Sequence, residues 1–164
     1  MVRRATRGAV LAVAAVCVAA VLKAGEPPRA ADTRDCAVVE RPAAADEAAL
    51  RDVARSWQEA YNAGDAPRVA SLYAEDGQYL SAHVAARGRE AIRAYFQRGI
   101  DAGGRIEAIT VKDSGASGTL GWATGTYAAN NAGQKVDGRI VLVLRKCAGA
   151  WLIVAHEVVV RDQP

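Results

Sequence analysis

The sequence predicts an α+β domain in which three helices pack on one curved, mostly antiparallel β-sheet, in the order α-α-β-α-β-β-β-β. Three observations carry this expectation. Apolar residues recur at helical spacing as far as Phe96, the runs from Arg105 onward are extended, and the separators between those runs are turn-forming. Helices followed by antiparallel strands form a layered α+β domain with helices covering one sheet face. With 51% hydrophobic and 24% charged residues, the composition is that of an ordinary globular domain and argues against collagen, coiled coil or wholesale disorder.

The first helix is read from Leu50, Val53, Ala54, Trp57, Ala60 and Tyr61, a single apolar stripe with Asp46 as a candidate cap. Asn62-Ala63-Gly64 ends it. Asp65 can cap a short second helix with Pro67 in its first turn and Val69, Leu72 and Tyr73 facing inward. Glu75-Asp76-Gly77 breaks that helix, with Asp76 satisfying turn amides, and releases a strand over Gln78-Tyr79-Leu80-Ser81 followed by a loop carrying His83. Gly88 leads into the third helix, whose inner face is Ile92, Tyr95 and Phe96. Four strands then follow, around Ile106 to Lys112, Thr119 to Ala128, Lys135 to Lys146 and Trp151 to Arg161. Their separators are Gly115, Asn130-Asn131-Ala132-Gly133 and Ala148-Gly149.

Ahead of the domain, Arg3, Arg4 and Arg7 precede an uncharged apolar run from Ala9 to Leu22. A basic start, an apolar stretch and small residues at Ala20 or Ala24 are the layout of an export signal. The run is about 14 residues, short of the roughly 20 a membrane-spanning helix needs, so no stable membrane anchor is expected after cleavage. The expected organisation is a signal peptide over 1–24, a flexible lead-in over 25–43 and the domain over 44–162, with a secreted or extracytoplasmic location. Loss of Cys17 with the signal would leave Cys36 and Cys147. In an oxidising compartment these can form a disulfide, worth ~4–5 kcal/mol in the chain-entropy model, or stay as separate thiols.

The net charge is only +3, and beyond the N-terminus the basic residues are scattered, so no nucleic-acid partner is expected. The last two strands, Ile140-Val141-Leu142-Val143-Leu144 and Leu152-Ile153-Val154, are apolar at every position. Both sheet faces there need cover. Helices cover one, and either a second copy, giving a homodimer packed sheet to sheet, or the terminal segments cover the other.

The stretch from Trp57 to Leu80, WQEAYNAGDAPRVASLYAEDGQYL, resembles the opening of SnoaL-like domains of the NTF2-like superfamily. Arg87-Gly88-Arg89-Glu90-Ala91-Ile92 is similar to that family's lead into its third helix, and Leu144-Arg145-Lys146 with Gly149-Ala150-Trp151-Leu152-Ile153 to its final hairpin. The wording is closest in kind to SgcJ/EcaC-type members, and the likeness spans Ala44 to Asp162. It implies a cone around a cavity, in a fold that serves isomerases, cyclases, dehydratases, hydrolases and binding modules alike. It also implies a comparison with ketosteroid isomerase, whose tyrosine donor falls at Trp57 and whose aspartate base falls at or near Ser81. A serine there is no general base at neutral pH, so isomerisation by that machinery is not expected.

The resulting expectation is an exported module holding a small apolar molecule in its cone without a cofactor. Candidate ligand-binding residues are Trp57, Tyr61, Tyr79, Phe96, Trp122, Tyr127 and Arg139, the aromatic ones for their apolar bodies with polar tips and Arg139 for a ligand carboxylate. The alternative is a cofactor-independent acid–base enzyme acting on a small, polyketide-like molecule. His156 would then be the catalytic residue, with Tyr79 or Trp57 as donors, because histidine alone titrates unperturbed near neutrality. Strand alternation places His156 with Leu152, Val154 and Val158, opposite Glu157, while His83 belongs to a surface loop. Two distant histidines offer no metal-ligand spacing, and neither a phosphate-cradling glycine loop nor a Gly-x-Ser-x-Gly turn occurs.

Overall fold

The stripe Leu50, Val53, Ala54, Trp57, Ala60 and Tyr61 is the buried face of α1 (Ala44–Asn62), in the computed structural model that describes residues 43–161. Asp46 does not cap this helix. It lies inside the first turn, and its carboxylate accepts from Lys146 Nζ at 2.8 Å and Trp151 Nε1 at 3.2 Å, tying the start of α1 to the last hairpin. Those two donors hold the Asp46 carboxyl below its usual range. At the other end, Asn62 pairs through both side-chain atoms with the backbone of Ile106, so the helix exit is fixed to the first long strand.

Asp65 caps α2 (Ala66–Ser71) by accepting from Arg68 N at 2.8 Å, as its position predicts. The helix is shorter than expected. Tyr73 already belongs to β1 (Tyr73–Ser81), and Glu75-Asp76-Gly77 is an irregular part of that strand rather than a break before it. Asp76 pairs with Arg145, 2.7 Å away. The predicted loop after Ser81 is a hairpin: Ala82 and His83 form its exposed turn, and β2 (Val84–Arg87) returns antiparallel to β1. Then come α3 (Arg89–Asp101), β3 (Arg105–Ser117), β4 (Leu120–Asn131), β5 (Gln134–Cys147) and β6 (Ala150–Val160). Gly115 is not a turn but sits inside β3, and the turn falls at Gly118, with φ of +58°.

The six strands form one sheet in the order β2-β1-β6-β5-β4-β3, antiparallel throughout except where β1 runs parallel to β6. The three helices cover its concave face. Curvature comes from two bulges in β3 and from glycines where neighbouring backbones close in. A Cβ on Gly125 would lie 2.0 Å from Thr110 O, and one on Gly138 would lie 2.0 Å from Val159 O.

Parity along the strands separates two faces. Ile140, Leu142 and Leu144 are buried inward, whereas Arg139, Val141 and Val143 point out. β4 follows the same register, so Trp122, opposite Val143, lies on the outer face with its ring over Gly115. In β6 a bulge inserts Val154 between the pairs Leu144–Ile153 and Val143–Ala155. His156 therefore shares its inward face with Trp151, Ile153 and Val158, and not with Leu152 as unbroken alternation predicts. Cys147 is half-buried and has no disulfide partner among the described residues, while its expected partner Cys36 lies outside them, as does the expected signal segment.

Candidate functional site

The core divides along the cone. At its narrow end Leu50, Val53, Leu144, Trp151 and Ile153 close it with apolar contacts. At the wide end the helices and sheet diverge around a cavity of about 450 Å³. Its walls are Trp57 and Tyr61 from α1, Tyr79 and Ser81 from β1, Tyr95 and Phe96 from α3, and Ile109, Tyr127, Ile140, His156 and Val158 from the sheet. Exposed Arg98, Ala102, Asn131 and Ala132 stand at its rim.

Of the residues expected from the sequence to hold a ligand, Trp57, Tyr61, Tyr79, Phe96 and Tyr127 come together here, and His156 joins them. Two do not. Trp122 and Arg139 sit on strands β4 and β5 but on the outer face, where odd and even positions have the opposite meaning from Tyr127 and Ile140. His83 is in the exposed hairpin turn and does not line the cavity.

The rings interlock. Phe96 meets Trp57, Tyr79 and Tyr95 edge to face at 4.9–5.1 Å, and Tyr79 stacks on Tyr95 at 4.9 Å. Such offset and T-shaped pairs suit the ring quadrupole and make the cavity wall stiff. His156, 3% exposed, is clasped edge-on by Trp57 and Tyr79 with centroids 5.4 and 5.2 Å away.

Polar contacts at the deep end run in one line. Trp57 Nε1 donates to Tyr73 Oη at 3.1 Å, and Tyr73 Oη lies 2.7 Å from His156 Nδ1. Sequence periodicity misses Tyr73, because its spacing from Val69 and Leu72 places it on a helix face. The signal available was its phenol: a fully buried tyrosine needs a partner for its hydroxyl. Trp57 in turn spends its N–H inside the protein and has none left for a ligand.

Burial without a charged partner pushes His156 down to about 3, so the imidazole is neutral across the ordinary pH range. Burial likewise raises the phenols of Tyr61, Tyr73, Tyr79 and Tyr127, the last also beside Asp137. Among the described residues no Asp or Glu lines the cavity, and no three His, Cys, Asp or Glu side chains gather as a metal-binding group. The walls thus present neutral hydrogen-bonding tips on apolar bodies. They can hold an uncharged molecule and orient a polar atom of it.

The SnoaL-like domain family matches residues 54–156, a span containing both Trp57 and His156. The chain belongs to the SnoaL-like domain family. Solved structures agree on its NTF2-like cone. One is a cystatin-like-fold protein of unknown function from Nostoc punctiforme, 16% identical, with a TM-score of 0.67 over 75% of this chain and 96% of that one. Another is a ketosteroid isomerase-like protein from Erwinia carotovora atroseptica, 18% identical, with a TM-score of 0.63 over 71% and 96%. A third is an NTF2-like protein from Novosphingobium aromaticivorans, 20% identical, with a TM-score of 0.61 over 73% and 84%. At such identities the likeness of this SnoaL-like chain is one of fold. No curated protein sequence matches it.

Proposed function

We propose that this SnoaL-like domain is an exported binding module that takes a small, ring-bearing, largely apolar molecule into its cone without a cofactor. The supporting observation is the cavity itself, about 450 Å³ walled by Trp57, Tyr61, Tyr79, Tyr95, Phe96 and Tyr127. Pockets of this size, mostly apolar with a few convergent polar groups, are the usual form of small-molecule sites. Export rests on the basic start and short apolar run before residue 24. Among the described residues no helix is long and apolar enough to cross a membrane.

The module works as a homodimer. Leu120, Trp122, Val141, Val143 and Val159 stand on the outer sheet face, each 37–58% exposed, with Arg139, Arg145 and Glu157 beside them in the register. A large exposed apolar patch on a soluble domain marks an interface, and a second copy offers the same face in self-complementary form.

Acid–base catalysis by His156 has less in its favour. A base must be able to take a proton near neutrality, and this imidazole is buried, neutral and already engaged at Nδ1. The test is titration with fluorene, an uncharged tricycle, followed by quenching of tryptophan fluorescence. Saturable quenching that is lost in Val158→Phe and in Ile109→Phe, both on the cavity wall, supports the reading. Quenching unaffected by either filled variant places the probe elsewhere and refutes it.

A further inference from the structure

Each polar group at the deep end of the cavity has a fixed number of protons to give, and the count decides which way the bonds run. The indole of Trp57 can only donate, so Tyr73 Oη accepts that bond. The phenol then has one proton of its own, and the acceptor 2.7 Å away is His156 Nδ1. The reverse tautomer, with a proton on Nδ1, would give Tyr73 Oη two incoming donors and leave its own proton without an acceptor in a site sealed from water. An unmade bond there carries the full desolvation cost, so the first arrangement prevails.

A neutral imidazole that accepts at Nδ1 carries its proton on Nε2. Among the described residues no protein group bonds Nε2, while His156 forms part of the cavity wall. Nor is Nε2 sealed away from that space: the one buried side-chain polar atom without a partner among the described residues is Ser114 Oγ, elsewhere in β3. His156 is thus 97% withdrawn from solvent yet holds one uncommitted N–H toward the cavity.

We infer that Trp57 and Tyr73 act as positioning residues that lock His156 in its Nε2–H form, and that the deep end of the cavity thereby selects a ligand bearing an uncharged carbonyl oxygen, as in a ring ketone. This rests on the cavity reading above and narrows it. A carbonyl accepts without donating, which matches a site whose deepest group can only donate. An ammonium has no lone pair with which to accept that N–H. A carboxylate would bring a charge into walls of aromatic rings, where its burial is unfavourable and Arg98 waits only at the rim. The relay needs no proton transfer, since the imidazole acts as a fixed, preorganised dipole.

The test has two arms. In the first, the protein is labelled with ¹⁵N-histidine, and ¹⁵N–¹H correlation spectra of the imidazoles are recorded without ligand. His83, in its exposed turn, supplies the second and separate signal set. For His156 we expect a bare Nδ1 and a protonated Nε2, and in Tyr73→Phe a mixture of tautomers. A proton on Nδ1, or a single unchanged tautomer in Tyr73→Phe, overturns the lock. In the second arm, 9-fluorenone and fluorene, which differ by one carbonyl, are titrated in parallel. We expect the ketone to bind about tenfold more tightly, as one net hydrogen bond implies, and the preference to vanish in His156→Phe. Equal binding of both probes overturns the carbonyl inference while leaving the cavity reading intact. Binding of neither overturns both.

Discussion

Lowering the pH tests the state of His156 with no ligand at all. In the unfolded chain this histidine takes a proton near 6.5, whereas in the folded protein it resists until about 3. Between those values the unfolded state binds more protons, so acid favours unfolding and stability is lost as pH falls through the window. At about 1.4 kcal/mol per unit once well below 6.5, the loss from about pH 6.5 to about pH 4 is roughly 3 kcal/mol. Nothing in the site compensates: the rings packed on the imidazole are Trp57, Tyr73 and Tyr79, none of them charged. The lowered carboxyls of Asp46 and Asp76 contribute stability that is present above 3.8 and lost below it, so they hardly enter this range. The assay is urea unfolding, followed by tryptophan fluorescence, of the native protein and of His156→Gln across the window. Glutamine keeps an acceptor for Tyr73 but cannot be protonated, so its curve should stay flatter by that amount, whatever its absolute stability. Parallel curves would mean that His156 is charged or hydrated in the folded state and would refute both its burial and its fixed role as a donor.

Gly125→Ala should cost about 2 kcal/mol or more in urea unfolding, because the new Cβ would stand 2.0 Å from Thr110 O and a strand backbone must move to relieve it. Phe96→Ala should cost about 3–5 kcal/mol, since that ring touches Trp57, Tyr61, Tyr73, Tyr79 and Tyr95 and its loss leaves a hole at the junction of cavity and core. If the proposed dimer forms through the outer sheet face, Trp122→Glu should shift it to a monomer by light scattering with an unchanged circular dichroism spectrum, because the indole lies on that face, 38% exposed. A variant that stays dimeric rules out that face as the interface.

How far the sequence could be read depended on whether periodicity alone settles the geometry. It does for α1, where one face is buried and the other wet: all six stripe residues, Leu50 through Tyr61, are the buried ones. It does not for Trp122 and Arg139. In β4 and β5 both sheet faces are apolar, so hydrophobicity cannot say which face is which. Only the cross-strand register, Trp122 opposite Val143 and Thr126 opposite Arg139, assigns them outward. β2 was illegible for a different reason: Val84-Ala85-Ala86-Arg87 has weak strand preference and is held by pairing with β1, a tertiary effect.

The site was half legible on the same grounds. Aromatic residues on helix and strand positions that face inward found the cavity walls, yet the donor line at its base joins residues 16 and 83 positions apart along the chain. His156 itself points inward because a bulge at Val154 resets the parity of β6, and no alternation rule anticipates where such a bulge falls. What sequence could have supplied is a satisfaction argument. A histidine in a strand of Ile, Val and Ala must be neutral if buried, a neutral imidazole has one N–H to give and one nitrogen that accepts, and the nearby apolar segments offer tyrosine and tryptophan among its partners. Trp57 can only donate, so it can reach the acceptor nitrogen of an imidazole either directly or through a tyrosine that accepts from it and donates onward. The folded chain takes the second route: the buried phenol of Tyr73 contacts both, which leaves the Nε2 proton for whatever enters the cone.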